Sequence, residues 1–417
     1  MKYFGRVVSG LALFVFALSV SSVQAELKLK PSVSVREEYN NNIYLTSSNK
    51  EDDFITTVNP ALNLRYGSKI LDVSLDYGLN FRLYSDHSEQ NETSLRETQR
   101  IKLGATLSPY RDILFLKISD EYKRVPIESR RQVALDNYIS NMSDLNHLII
   151  NPYAVIPLGS TVKLNAGYQY EDLSYRKREG DDARNHLFTA GISYELSPRV
   201  TTTATYNYLI SRLQNTEDYD RQSAGIGMTW KITPRVTLGG NVGKTWFDYD
   251  NQGEFNSTTW DIKADYQVSP LFLLSAGYSR NFSVSANVGG YKAQTTNAGI
   301  TYTGKVPISL SVYETTRRYN TESRKDKEKG VTLSTSMPIT PRLQGNVTGN
   351  YSTSESEDAT LAGNKEDVDR YSVTASLSYE FKITTVSLGY TWNWSDSNID
   401  GNGYQNSIVW LQARFSF

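Results

Sequence analysis

Cysteine is absent from the 417 residues. That excludes a disulfide framework, thiolate metal sites, c-type haem attachment and a lipidated N-terminal cysteine. Histidine is scarce: His87, His147 and His186 are the only three, and none stands in a recognisable nucleophile–base pattern. A hydrolase built into a barrel needs such a pattern at its rim, so no enzyme is expected here. Nor does the chain present a cofactor or metal signature. Neither sign of charge dominates, with 44 Lys and Arg against 45 Asp and Glu, so a nucleic-acid partner is not expected. Beyond residue 25 no apolar run reaches the roughly 18–20 residues that a membrane helix needs. No Pro/Gly/Ser linker divides the chain, and residues 26–417 read as a single domain.

The first 25 residues follow other rules. Lys2 and Arg6 precede the apolar run from Leu11 to Val20, and Val23-Gln24-Ala25 has the small-x-small form of a signal-peptidase site. Residues 1–25 are therefore expected to be a cleaved secretory signal.

What is present is a repeated phrase. Ser197-Pro198-Arg199-Val200-Thr201 returns as Thr233-Pro234-Arg235-Val236-Thr237, 36 residues later. Weaker echoes stand at Ser269-Pro270-Leu271, at Pro307, and at Thr340-Pro341-Arg342. A fixed period of this size marks one supersecondary unit used many times. Between the marks, apolar and polar residues alternate: Leu71, Val73, Leu75, Tyr77 and Leu79 against Asp72, Ser74, Asp76 and Gly78, for example. Period two means strand, with one apolar face and one polar face. The strands run for about 12–15 residues, far beyond the five or six usual in soluble proteins.

Each unit is thus a hairpin whose proline marks a tight turn, because proline lacks the N–H that a ladder needs. The opposite ends are long and polar: Ser85–Thr93, Pro126–Asp144, Tyr175–Asp182, Asn320–Lys327, Ser352–Glu366 and Asp396–Gly403. Short turns on one side and long loops on the other are the plan of a transmembrane antiparallel up-and-down β-barrel. The pattern predicts about 20 strands (18–20), the first over 27–39 and the last over 404–417. Tyr153, Tyr194, Trp230 and Tyr266 each stand four residues before a proline, which predicts one aromatic girdle. Tyr168, Tyr206, Tyr208, Trp246, Tyr278, Tyr351, Trp392 and Trp394 predict a second, roughly 25 Å away. A propeller, with four short strands per repeat, does not fit two long ones.

The chain ends NSIVWLQARFSF, alternating to a terminal Phe417. This resembles the C-terminal signature that the barrel-assembly machinery reads on bacterial outer-membrane proteins. The expected surroundings are therefore outer-membrane lipid in a Gram-negative cell.

Two local motifs carry less. GGNVGK (239–244) lacks the strand–loop–helix setting of a phosphate loop, and its glycines fit a barrel wall. DSNIDG (396–401) matches the start of a calcium loop, but Ser407 occupies the position of the bidentate glutamate, so a turn-rich surface loop is expected.

REEYNNNIYLTSSNKEDDFITTVNPALNLRYG, residues 36–67, resembles the opening of the β-barrel porin 2 family of Gram-negative bacteria. An acidic-aromatic-Asn stretch leads through a polar loop to a strand with a proline. The resemblance implies an outer-membrane barrel, and for some members an association with exopolysaccharide export and a periplasmic export partner. A twenty-strand barrel is roughly 35–40 Å across, too wide for side chains to fill. No plug-like segment stands before the first strand, which argues against a siderophore-type transporter. An outer-membrane channel for polar solutes is therefore expected, with Arg65, Asp72, Asp76, Arg82 and Lys163 lining the pore. Loop 126–144, which holds Val133, Leu135 and Ile139, is expected to fold inward and place Arg130 and Arg131 at a constriction. The alternative is a structural or adhesive barrel with a blocked lumen and partner-binding loops.

Overall fold

The computed structural model describes residues 26–110, 112–126, 142–177, 180–251, 253–285, 289–319, 324–358 and 365–417. The proposed signal segment and the expected constriction residues Arg130 and Arg131 lie outside the described residues. Every strand pairs antiparallel with its neighbours in sequence, and the first strand, Glu26–Asn40, closes on the last, Tyr404–Ser416. The result is a closed barrel of twenty strands. Most are 12–17 residues long, from Gln99–Tyr110 to Met142–Leu158. The third is broken into Leu71–Leu79 and Phe81–Tyr84, both paired to the strand Asp53–Gly67.

Alternation decides which face meets what. Apolar residues of one parity are exposed, an inversion of the globular pattern: Leu27, Ile226, Ile262 and Leu388 stand 61%, 64%, 56% and 52% exposed. Register keeps this parity matched between strands. Leu377 faces Leu388, which faces Leu411, and all three are exposed. Such a belt is stable only against hydrocarbon. The other parity faces the lumen.

The recurring turn phrase has a physical cause. In four turns the hydroxyl before proline accepts the amide two residues on: Arg199 N–H to Ser197 Oγ at 3.3 Å, Arg235 to Thr233 Oγ1 at 3.1 Å, Leu271 to Ser269 Oγ at 3.2 Å, and Arg342 to Thr340 Oγ1 at 3.3 Å. In the last of these Leu343 N–H also reaches Thr340 Oγ1, at 3.0 Å. The hydroxyl supplies the acceptor while proline presets φ. The residue after proline then offers its carbonyl to the next hairpin: Lys231 N–H to Arg199 O at 2.8 Å, Gln267 to Arg235 O at 2.7 Å, and Thr303 to Leu271 O at 2.9 Å. One turn is thus tied to the next, and the 36-residue period is the hairpin pitch.

Both described termini lie at the short-turn end, where Phe417 N–H donates to Pro31 O at 3.0 Å. At the loop end several boundaries differ from the sequence expectation. The strands Arg324–Pro338, Leu343–Asp358 and Lys365–Glu380 claim residues expected in loops, and Pro126 pairs with Met142. In the other direction, the strand after the expected loop Ser85–Thr93 starts only at Gln99, following one helical turn, Leu95–Thr98. The break at Asn80 has the same origin: its N–H turns to Thr98 O at 2.8 Å.

Candidate functional site

The lumen wall is the candidate site, and each strand supplies it with every second residue. Arg65, Asp72, Asp76, Arg82 and Lys163 all fall on the lumen-facing parity. The structure joins two of them: Arg65 Nη2 stands 3.1 Å from Asp76 Oδ2, both about half exposed, and Asn63 donates to the same carboxylate. Arg82 lies higher, with Ser34, Arg36, Glu38 and Asn59. Lys163 sits apart on the strand Val162–Tyr175, opposite Pro157 and Ser193.

The wall has two characters. Across six neighbouring strands Thr301, Ser309, Ser334, Thr348, Thr374 and Thr391 stand in register as one row of hydroxyls. The adjacent row on the last five strands to the seam reads Thr332, Asn350, Ser372, Asn393 and Asn406. On the far side of the seam the wall becomes charged. Lys30, Asn63, Asp76, Lys102, Glu121 and His147 form one row there. It edges a groove of about 580 Å³ that also takes in Arg100, Lys123 and Arg414. A second groove of about 290 Å³ continues from Arg414 to Arg36 and Arg82. The cations Lys30, Lys102 and Arg414 escaped the sequence reading, although alternation along Lys28-Leu29-Lys30 and Gln412-Ala413-Arg414 carries the signal.

Aromatic residues on the lumen face follow a third rule. Tyr153, Tyr313 and Trp410 each stand in register with a glycine, at Gly167, Gly330 and Gly389. A Cβ at any of these glycines would press on the facing side chain. At Gly330 and Gly389 the facing ring lies over the bare backbone. This corrects the girdle: Tyr194, Trp230 and Tyr266 are exposed on the outer face, but Tyr153 faces inward and stacks on Phe115 at 4.8 Å. Pro157 explains the difference. It lies within a strand, two residues before Gly159, whose φ of +74° makes the turn. Counting back from proline therefore lands on the wrong face.

The loop end is held by side chains. Asp53, with its side chain fully buried, accepts the amides of Ser85, Asp86 and His87 at 2.9, 3.1 and 3.1 Å. The His87 ring bridges Asp53 Oδ2 at 2.8 Å and Glu51 Oε2 at 2.7 Å. These two carboxylates, Asp53 foremost, raise the His87 pKa above its ordinary value. His147 pairs with Glu171 at 2.6 Å, and His186 with the Tyr168 hydroxyl at 2.7 Å. The calcium-like stretch forms a turn in which Asn398 Nδ2 donates to Lys365 O at 2.8 Å.

The asparagines of the quoted opening stretch seal the seam. Asn406 Nδ2 donates to Asn40 Oδ1 at 2.5 Å and to Asn42 O at 3.1 Å, and Asn393 Nδ2 to Asn406 Oδ1 at 3.2 Å. Ser407 N–H reaches Asn41 Oδ1 at 2.7 Å. Asn42 and Asn406 are wholly buried.

No family model and no curated protein sequence matches the chain. Solved structures do. The ferric enterobactin receptor PfeA of Pseudomonas aeruginosa, in complex with enterobactin, aligns over 95% of this chain and 82% of its own, at 9% identity and TM-score 0.57. The FrpB iron transporter of Neisseria meningitidis aligns over 93% and 82%, at 9% identity and TM-score 0.54. The siderophore receptor PirA of P. aeruginosa aligns over 94% and 80%, at 12% identity and TM-score 0.50. At these identities the likeness is one of fold. Together with the apolar outer belt, it makes this chain a β-barrel of the Gram-negative outer-membrane kind.

Proposed function

We propose that the protein is an outer-membrane channel for the passive passage of polar solutes. The observation that carries this reading is the pair of hydroxyl and amide rows along the lumen face of a barrel of twenty strands, which give way to a buried cluster of Leu209, Tyr219, Phe247 and Tyr249 only towards the loop end. At roughly 35–40 Å across, such a barrel needs water inside it. Rows of short hydroxyl and amide side chains give that water hydrogen-bonding partners along the wall.

The finer assignment is to the β-barrel porin 2 family, on the stretch 36–67. In this reading a saccharide meets the hydroxyl rows, exposing its own hydroxyls to Ser, Thr and Asn partners, and an exopolysaccharide is the largest member of that class. Both His87 ring nitrogens face carboxylates, and the proposed function contains no chemical step. With the short turns periplasmic, Phe417 is presented to the assembly machinery and, in an export role, the same rim meets a periplasmic partner.

Planar-bilayer recording of refolded protein tests the proposal. Stable stepwise openings are expected. Silence from correctly folded protein would instead favour a structural or adhesive barrel acting through its loop end.

A further inference from the structure

The charged wall is not neutral. In the lower groove Lys30, Lys102, Lys123 and Arg414 stand with two side-chain carboxylates, Asp76 and Glu121, and with the terminal Phe417, while Arg100 is engaged by Asp144 at 3.7 Å. Both carboxylates already have partners: Asp76 binds Arg65 at 3.1 Å and Glu121 binds Lys123 at 2.6 Å. Among the described residues Lys30 and Arg414 have no carboxylate within ion-pair distance, and Lys102 stands in register between Asp76 and Glu121. Arg414 is flanked across its two ladders by Ser34 and Thr385, neither of them charged. The upper groove is lined by Arg36, Arg82 and Glu38, with Arg36 2.8 Å from Glu38.

This excess is local. The whole chain carries a formal charge of −1, and the row from Thr301 to Thr391 consists of hydroxyls. A positive strip along one side of a confined aqueous path raises the local concentration of anions. The two grooves share Ser32 and Arg414, so they form one track along the barrel axis. Because the cations lie at successive heights, a solute with several anionic groups can engage two levels at once.

We propose that this wall, centred on Lys30, Lys102 and Arg414, is a binding track for solutes carrying two or more carboxylates. The inference rests on the channel reading and names the solute class that the channel favours.

The test uses the full refolded protein, the triple variants K30E/K102E/R414E and K30Q/K102Q/R414Q, and citrate as probe, with maltotriose as an uncharged control. In a KCl gradient, wild-type channels should be anion-selective and blocked by citrate. The glutamine variant should weaken citrate block on the order of tenfold, the scale set by electrostatic focusing. The glutamate variant should invert the reversal potential. Open channels whose selectivity and citrate block are unchanged in both variants would overturn the inference and leave the channel standing, as would block by maltotriose alone. If folded protein never conducts, the channel reading fails by itself, and calorimetric titration of citrate into detergent-folded protein decides the groove. Heat present in wild type and lost in the glutamine variant supports the track, and its absence in wild type overturns it.

Discussion

At the scale of single residues, the protein is governed by which of two solvents a side chain meets. Leu388 is half exposed, flanked in register by Leu377 and Leu411, and its neighbour Ser387 points the other way, with its hydroxyl 2.8 Å from Ser378. Leu388→Arg should cost about 2–4 kcal/mol in folding into bilayers, because the charge would face hydrocarbon. Ser387→Arg adds the same charge to a wet wall and loses only a surface hydroxyl pair, so its cost should be far smaller. Denaturant titration of both variants in lipid vesicles measures the difference, and equal penalties would refute the two-face assignment.

At the scale of elements, most strands were legible because period two is written into them, while the stretch from 85 to 145 alternates less cleanly. The turns were legible too, since a hydroxyl before proline satisfies its own backbone. What escaped the sequence was set by partners distant along the chain. Asn80 breaks a strand because Thr98 O takes its N–H, and nothing local to Asn80 announces it. Tyr153 was misplaced because Pro157 sits in a strand rather than in a turn. The basic groove was hidden for the same reason, since Lys30 and Arg414 approach only when the first and last strands pair.

The loops 41–52 and 85–91 show such a distant partnership in a form that pH can probe. His87 joins them through Glu51 and Asp53, and its pKa is raised, so the protonated ring is favoured in the folded state. The stabilisation is therefore complete below the ordinary histidine value of about 6.5 and is lost as pH rises through the higher folded value. Exchange of the amides of Ser85, Asp86 and His87, corrected for its intrinsic pH dependence, should accelerate across that window. In His87→Asn the acceleration should vanish, while the three amide bonds to Asp53 keep the loop from opening fully. An identical pH profile in wild type and variant would show that the ring does not hold the clamp.

At the scale of the whole molecule, the barrel stands or falls on one junction. Every hairpin brings its two strands together through a short turn or loop, but the first and last strands must find each other across the entire chain, a pairing that costs loop-closure entropy. Their ladder from Ser32–Ser416 to Asn40–Ile408 is followed by the asparagine knot at the loop end. That knot replaces a turn. Asn406→Leu keeps the number and branching of the side-chain heavy atoms but removes the donor to Asn40 Oδ1 and Asn42 O and the acceptor for Asn393. Each buried group left without a partner costs about 1–3 kcal/mol. Fraying should begin at this seam, with faster amide exchange over residues 404–410 than over the paired strand Leu343–Asp358. On unheated gels the folded, fast-migrating band should be lost at a lower temperature than in wild type. Asn346→Leu, at a lumen-facing position between Ser336 and Ser376, should leave both measurements near wild type. If the two variants behave alike, the ladder alone closes the barrel and the asparagines are passengers.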